Sequence, residues 1–188
     1  MRRLLLASAL LCAFCVSAAL GAQRSQAAAR STARTARSAH IAAITYLGTR
    51  LRRWEERTWH WQRITGKAPT ETAGRTLTAM SISDLEVTIG HWQKLAHTAR
   101  RVAQHPPHLS QWMCIHHYEG AWNDVGGPYW GGLQMSLGFQ ERYGSWLYKT
   151  KGTADHWTPL EQMWTAEKAL KSRGFWPWPN TARMCGLI

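Results

Sequence analysis

The chain has 188 residues, 45% of them hydrophobic and 18% charged, with a formal net charge of +12. That length fits one ordinary domain with additions, and the apolar fraction excludes wholesale disorder. Lys and Arg number 23 against 11 Asp and Glu, and 12 residues are Trp, a pairing that points to anionic partners and ring-stacking ligands, either nucleic acid or sugar polymers.

Met1-Arg2-Arg3 is a basic start, Leu4 to Leu20 is apolar apart from Ser8 and Ser17, and small residues cluster at Ala18, Ala19, Gly21 and Ala22. This order predicts a secretory signal peptide over residues 1–22. A run of about 17 apolar residues is also just long enough to span a bilayer, so an uncleaved N-terminal anchor is the alternative. In both cases the rest of the chain leaves the cytoplasm, secreted or associated with the cell wall. Cys12 and Cys15 fall inside this segment, and its removal leaves Cys114 and Cys185. In an oxidising compartment such a pair is most simply a disulfide, with two buried free thiols as the alternative.

Residues 23–105 carry fourteen Lys or Arg against five Asp or Glu. Up to about residue 63 they are rich in Ala and Arg, which favours helix without supplying much of a core. An exposed basic helix or a mobile linker is expected there. The Gly-, Thr- and Pro-bearing stretch from Thr65 to Thr78 interrupts it. Ser83-Asp84-Leu85-Glu86 then reads as a capping box, and Leu85, Ile89, Trp92, Ala96, Ala99 and Ala103 recur at helical spacing. The helix they predict ends near His105-Pro106-Pro107.

Residues 106–188 are nearly neutral and hold eight of the twelve tryptophans. Ser110 is the expected N-cap of a short helix, Gln111 to Glu119, stopped by Gly120. From Asp124 to Gly132, four glycines deny regular structure and let another chain approach closely. Thr158-Pro159-Leu160-Glu161 is a second capping box with Pro at the first helical position, and Gly174 is the matching stop. Leu160, Met163, Trp164 and Leu170 share one face of that helix. Glu167 falls within the same arc, where it must be paired or directed to water. No strand-length alternating run competes, so the expected fold class is mainly α.

The chemistry centres on Glu119, which ends a helix between Tyr118 and Trp122 and precedes the aromatic, Gly-rich loop. A carboxyl desolvated by aromatic rings holds a proton that it can donate to a glycosidic oxygen. A helix-terminal surface Glu is the alternative. Glu119-Gly120-Ala121-Trp122, then Tyr129-Trp130-Gly131-Gly132-Leu133-Gln134-Met135, then Phe139 and Tyr143-Gly144, form an ordered set. It resembles the transglycosylase-like catalytic domain of the resuscitation-promoting factors, over roughly residues 110 to 187. The resemblance implies a small lysozyme-like domain that cleaves bacterial peptidoglycan. It implies Glu119 as the catalytic acid, the Trp130 to Gln134 segment as cleft lining, and a disulfide from Cys114 on the catalytic helix to Cys185 in the tail. Gly174-Phe175-Trp176-Pro177-Trp178-Pro179 is similar to the family's aromatic, proline-bearing tail. Two features depart from the family pattern: Gly120 directly follows the Glu, and Ser145 to Asp155 resembles an insertion.

Glycosidases usually use two carboxylates, and Asp124 is the candidate second one. Lytic transglycosylases, which this domain also resembles, use one Glu as acid and then base, with an anhydro sugar as product. The single-acid scheme is favoured and hydrolysis stays open. Trp122, Tyr129 and Trp130 offer flat faces for pyranose rings, Gly132 lets backbone reach the glycan, and Gln134 can bond a sugar amide or hydroxyl. Trp112, Trp157 and Trp164 are expected in the core.

The resulting division is a signal segment at 1–22, a basic helical linker or wall-binding region at 23–105, and a catalytic domain at 106–188. No cofactor is expected, and a monomer is. His105, His108, His116 and His117 show no zinc-hydrolase spacing such as H-E-x-x-H, so an exported zinc enzyme is a minor alternative. The basic segment with Trp54, Trp59 and Trp61 would suit nucleic acid, but export favours an anionic wall or membrane surface as partner. A catalytically inactive peptidoglycan-binding module is the remaining alternative.

Overall fold

The computed structural model describes residues 4–72 and 77–188, with backbone alone at 4–22 and at Thr78. The described chain is mainly helical, with 71% helix and two short strands. Helix α1 runs Leu4–Ile64, α2 Ile82–Ala103 and α3 Leu109–Glu119; the strands β1 Tyr129–Trp130 and β2 Met135–Ser136 follow. Then come α4 Leu137–Tyr143, α5 Ser145–Lys151, α6 Pro159–Arg173 and α7 Pro179–Met184. Among the described residues no helix is long and apolar enough to cross a membrane. The signal-peptide reading rests on side chains of residues 1–22, which lie outside that description; the backbone over 4–22 is helical.

The chain forms two compact units, Met1–Thr49 with Thr76–Glu86, and Arg50–Arg75 with Val87–Ile188. In the first, α1 is exposed from Gln23 to Ala42 and then buries Leu47. A Cβ on Gly48 would lie 2.9 Å from Leu77 Cδ1, so the short 3-10 turn at Leu77–Ala79 is fitted to a bare backbone.

The second unit begins well before residue 106. Leu51, Thr58 and Ile64 of α1 are buried, so this part of the helix supplies core, against the expectation of an exposed helix or linker. Five arginines between Arg50 and Arg63 hide that face in the sequence. The later helices grip α1 and α2 directly. Trp164 Nε1 on α6 donates to the Ala103 carbonyl at 2.7 Å. Lys168 Nζ reaches the Arg63 carbonyl at 3.3 Å. Helix α2 buries Ile89, Trp92, Ala96 and Ala103 in the expected register. Its cap, however, is Ser81, whose hydroxyl accepts the Asp84 N–H at 3.1 Å and donates to the Asp84 carboxylate at 2.8 Å; Ser83 lies within the first turn.

Helix α6 has the predicted caps. Thr158 accepts the Glu161 N–H, Glu161 accepts the Thr158 N–H, Pro159 sits in the first turn, and Gly174 ends it at φ 55°. Glu161 is buried, and Lys151 of α5 contacts both its oxygens at 2.6 and 2.8 Å. Glu167, also buried, takes the paired option. It accepts the Trp112 Nε1–H at 2.9 Å and the His108 N–H at 2.9 Å, and lies 3.0 Å from His108 Nδ1. This carboxylate caps α3 from 59 residues away. Helix α3 therefore starts at Leu109 with His108 as its cap residue, and Ser110, the expected cap, bonds Gln111 instead. The fully buried Trp112 thus has its indole N–H satisfied, as a large amphipathic ring requires. The core of this unit gathers Trp112, Ile115, Leu133, Met135, Phe139 and Trp178 among others, with Trp157 and Trp164 buried as expected.

Candidate active site

Helix α3 carries Glu119 at its last position, and the Gly120 N–H closes onto the His116 carbonyl at 3.3 Å. The Glu119 side chain is half-buried, and its Oε1 accepts a hydrogen bond from the Thr181 hydroxyl at 2.8 Å. Thr181 belongs to α7, and one helical turn beyond it Cys185 forms the disulfide with Cys114 of α3. The two Cα atoms are 6.1 Å apart, and the link spans 71 residues. One covalent bond and one hydrogen bond therefore hold the tail against the helix that bears the carboxylate.

After Gly120 the chain turns back on itself. Asp124 N–H reaches the Ala121 carbonyl at 3.0 Å, and Gly131 N–H reaches the Asp124 carbonyl at 2.9 Å. The strands pair antiparallel, Tyr129 opposite Ser136 and Trp130 opposite Met135, so the Gly-rich stretch builds a small hairpin where only irregular chain was expected. Its tip is closed by the Gln134 N–H on the Gly131 carbonyl at 3.0 Å. Gly131 has φ 74° and Gln134 φ 45°, the latter a left-handed non-glycine. Gln134 Nε2 donates to Asp124 Oδ2 at 2.6 Å and to the Gly131 carbonyl at 3.0 Å. The pair lies beside Gly120, where a Cβ would meet Asp124 Oδ2 at 3.5 Å and Gln134 Nε2 at 3.6 Å. The structure thus brings Asp124 and Gln134 together beside Gly120, the residue that follows Glu119.

The aromatic residues divide. Trp122 stacks on His116 with ring centroids 3.9 Å apart and planes 21° from parallel. Buried Gly132 abuts both, since a Cβ there would fall 2.6 Å from His116 Nδ1 and 2.8 Å from Trp122 Cε3. Tyr129 is 49% exposed and shares a shallow cavity of about 190 Å³ with Gln134, Ser136, Phe139, Arg173 and Trp178. Trp130 and Trp122 are partly buried against the core. Glu119 does not line that cavity, and Tyr118 is 46% exposed, edge-on to His117.

Two contributors, Thr181 and Gln162, have no place in the sequence reading, and a third, His116, enters it only as a candidate metal ligand. Thr181 orients Glu119; the signal that could have found it is its place one helical turn before Cys185. His116 supports Trp122 and lies 3.2 Å from the Gly132 carbonyl through Nδ1. Gln162, fully buried on α6, donates through Nε2 to the carbonyls of Trp122 at 2.7 Å, Ala154 at 2.8 Å and Trp157 at 3.1 Å. No local pattern marks it. Among the described residues no group of three or more His, Cys, Asp or Glu is placed to hold a metal ion. Comparison with family models, curated proteins and solved structures returned no match for the chain.

Proposed function

We propose that this is an exported, monomeric, peptidoglycan-cleaving glycosidase with a lysozyme-like catalytic domain, acting through Glu119 as a single acid and base. The observation that carries this reading is the carboxylate at the end of α3, oriented by Thr181, with the Asp124–Gln134 pair beside the following residue, Gly120. The hydroxyl of Thr181 donates to Oε1 and fixes the orientation of the carboxyl. Glu119 donates a proton to the glycosidic oxygen, and the bond from that oxygen to the anomeric carbon breaks as the leaving sugar departs. The N-acetyl oxygen of the substrate stabilises the developing cation. Glu119, now a carboxylate, then removes the proton from the sugar hydroxyl that closes the anhydro ring. Asp124 already accepts a short bond from Gln134, which supports a part in holding the loop over one as a second reacting carboxylate. The exposed basic stretch of α1 from Gln23 onward suits attachment to an anionic wall or membrane surface, with salt weakening it.

The disulfide-bonded protein should clear purified peptidoglycan and release products lighter than hydrolytic ones by one water. Glu119→Gln should abolish clearance with an unchanged circular-dichroism spectrum, because an amide cannot supply the proton. Inactivity of the parent protein would replace this reading with a binding module, and full activity of the variant would remove Glu119 from the mechanism. Reducing ends, with a loss of about a hundredfold on Asp124→Asn, would establish the two-carboxylate hydrolysis instead.

A further inference from the structure

A cavity of about 640 Å³ opens in the second unit between the end of α1, the C-terminal half of α2 and Trp146 of α5. No residue of the Glu119 site lines it. That volume suits a ligand the size of a small organic molecule or disaccharide. Its walls combine two chemistries. Four indoles, Trp54, Trp59, Trp61 and Trp146, supply flat apolar surface. Three arginines, Arg57, Arg63 and Arg100, line it against one carboxylate, Glu56, and none of the three is ion-paired with a described carboxylate. The guanidinium of Arg57 lies 4.7 Å over the Trp54 ring and that of Arg63 lies 5.5 Å over Trp146. A guanidinium resting on an indole is held in orientation while its N–H groups stay available, which prepares it to take a carboxylate or phosphate with two bonds.

We propose that this cavity is a second binding site that takes an anionic saccharide, its ring against the indole surface and its carboxylate or phosphate on Arg57 and Arg100. The choice of a sugar over other ring-bearing anions rests on the glycan-cleaving reading; the demand for an anion rests on the cavity itself. Such a site holds a glycan strand at a point apart from the reacting carboxylate, so cleavage and retention are separable.

The test uses the full disulfide-bonded chain carrying Glu119→Gln, so that nothing is cleaved, with tryptophan fluorescence and calorimetry as readouts. The probes are the N-acetylglucosaminyl-N-acetylmuramic acid disaccharide, glucose 6-phosphate, neutral N,N′-diacetylchitobiose, and AMP. At least one anionic sugar should bind about tenfold or more tightly than the neutral disaccharide, and added salt should reduce that preference. The carboxylate and phosphate arms identify which anion is recognised, and a response in either supports the site. Arg57→Gln and Arg100→Gln, both at exposed positions, should each weaken anionic sugar binding roughly tenfold and leave neutral sugar binding unchanged. Equal binding of neutral and anionic sugars, no binding of any sugar, no effect of either arginine variant, or tighter binding of AMP than of both anionic sugars would overturn the proposal. Failure here with peptidoglycan clearance intact removes the cavity alone, whereas binding here without clearance by the parent removes the catalytic reading alone.

Discussion

Breaking the Cys114–Cys185 bond tests the way the tail is fastened to α3. The link closes a loop of 71 residues, and in the chain-entropy model releasing such a loop costs about 4 kcal/mol of stability at 25 °C. The compact unit that contains it has about 130 residues, for which unfolding entropy near the midpoint is roughly 0.27 kcal/mol per degree, so the expected fall in Tm is about 15 °C. Thermal melts of the full chain, followed by far-ultraviolet circular dichroism, would compare the parent, the parent under a phosphine reductant and Cys114→Ala with Cys185→Ala. The reduced parent and the double variant should agree within a few degrees. A fall of less than about 3 °C would refute the reasoning. It would mean that buried Trp178 and Ala182, together with the Trp178 Nε1 bond to the Leu133 carbonyl at 2.6 Å, hold the tail without covalent help.

Two further outcomes follow from side-chain crowding and from burial. Gly132→Ala places a methyl group 2.6 Å from His116 Nδ1 and 2.8 Å from Trp122; overpacking of this kind costs about 1–3 kcal/mol, and a Tm unchanged within a degree would show that the stack yields freely. His60 is the second case. Desolvation by burial pushes its imidazole below the ordinary value of 6.5, with Lys151 and Arg63 adding to the fall and Glu161 opposing it. Because the folded value lies below the unfolded one, the unfolded chain binds more protons beneath pH 6.5, and the stability that the neutral ring confers is lost as pH falls. The Tm advantage of the parent over His60→Gln should therefore shrink between pH 7.5 and pH 5, and an advantage that grows instead would show that Glu161 dominates.

Local signals read well where they act within one turn. The Thr158 to Glu161 box, the Gly174 stop and the α2 face from Leu85 to Ala103 all depend on neighbours three or four residues apart, and each is found at or close to its expected place. The pairing of Cys114 with Cys185 was equally legible, since few cysteines remain once the first segment is set aside. What escaped the sequence is long-range. The start of α3 is set by Glu167, whose approach no local pattern announces, and Ser110 therefore misleads. Ser81 and Ser83 both precede an acid three residues on, and only the packed helix chooses between them. The core role of α1 is concealed because Leu51, Thr58 and Ile64 are thinly spaced among arginines. In the candidate site, Glu119, Asp124 and Gln134 fall within one stretch of 16 residues, whereas Thr181 and Gln162 arrive from 62 and 40 residues away.

The buried glutamines carry a consequence for how the hairpin can vary. Gln162 bonds the Trp122 carbonyl, and Gln140 donates to the Met135 carbonyl at 2.7 Å while accepting the Ala154 N–H at 2.9 Å. Both reach backbone, so the loop between Trp122 and Met135 is anchored from its inner side whatever side chains it shows to solvent. Asn123, Val125 and Tyr129 on the outer side are exposed. Those positions form an interchangeable facing on a fixed backing: residues there can be exchanged without moving the loop, while the two hidden amides must stay for it to keep its course.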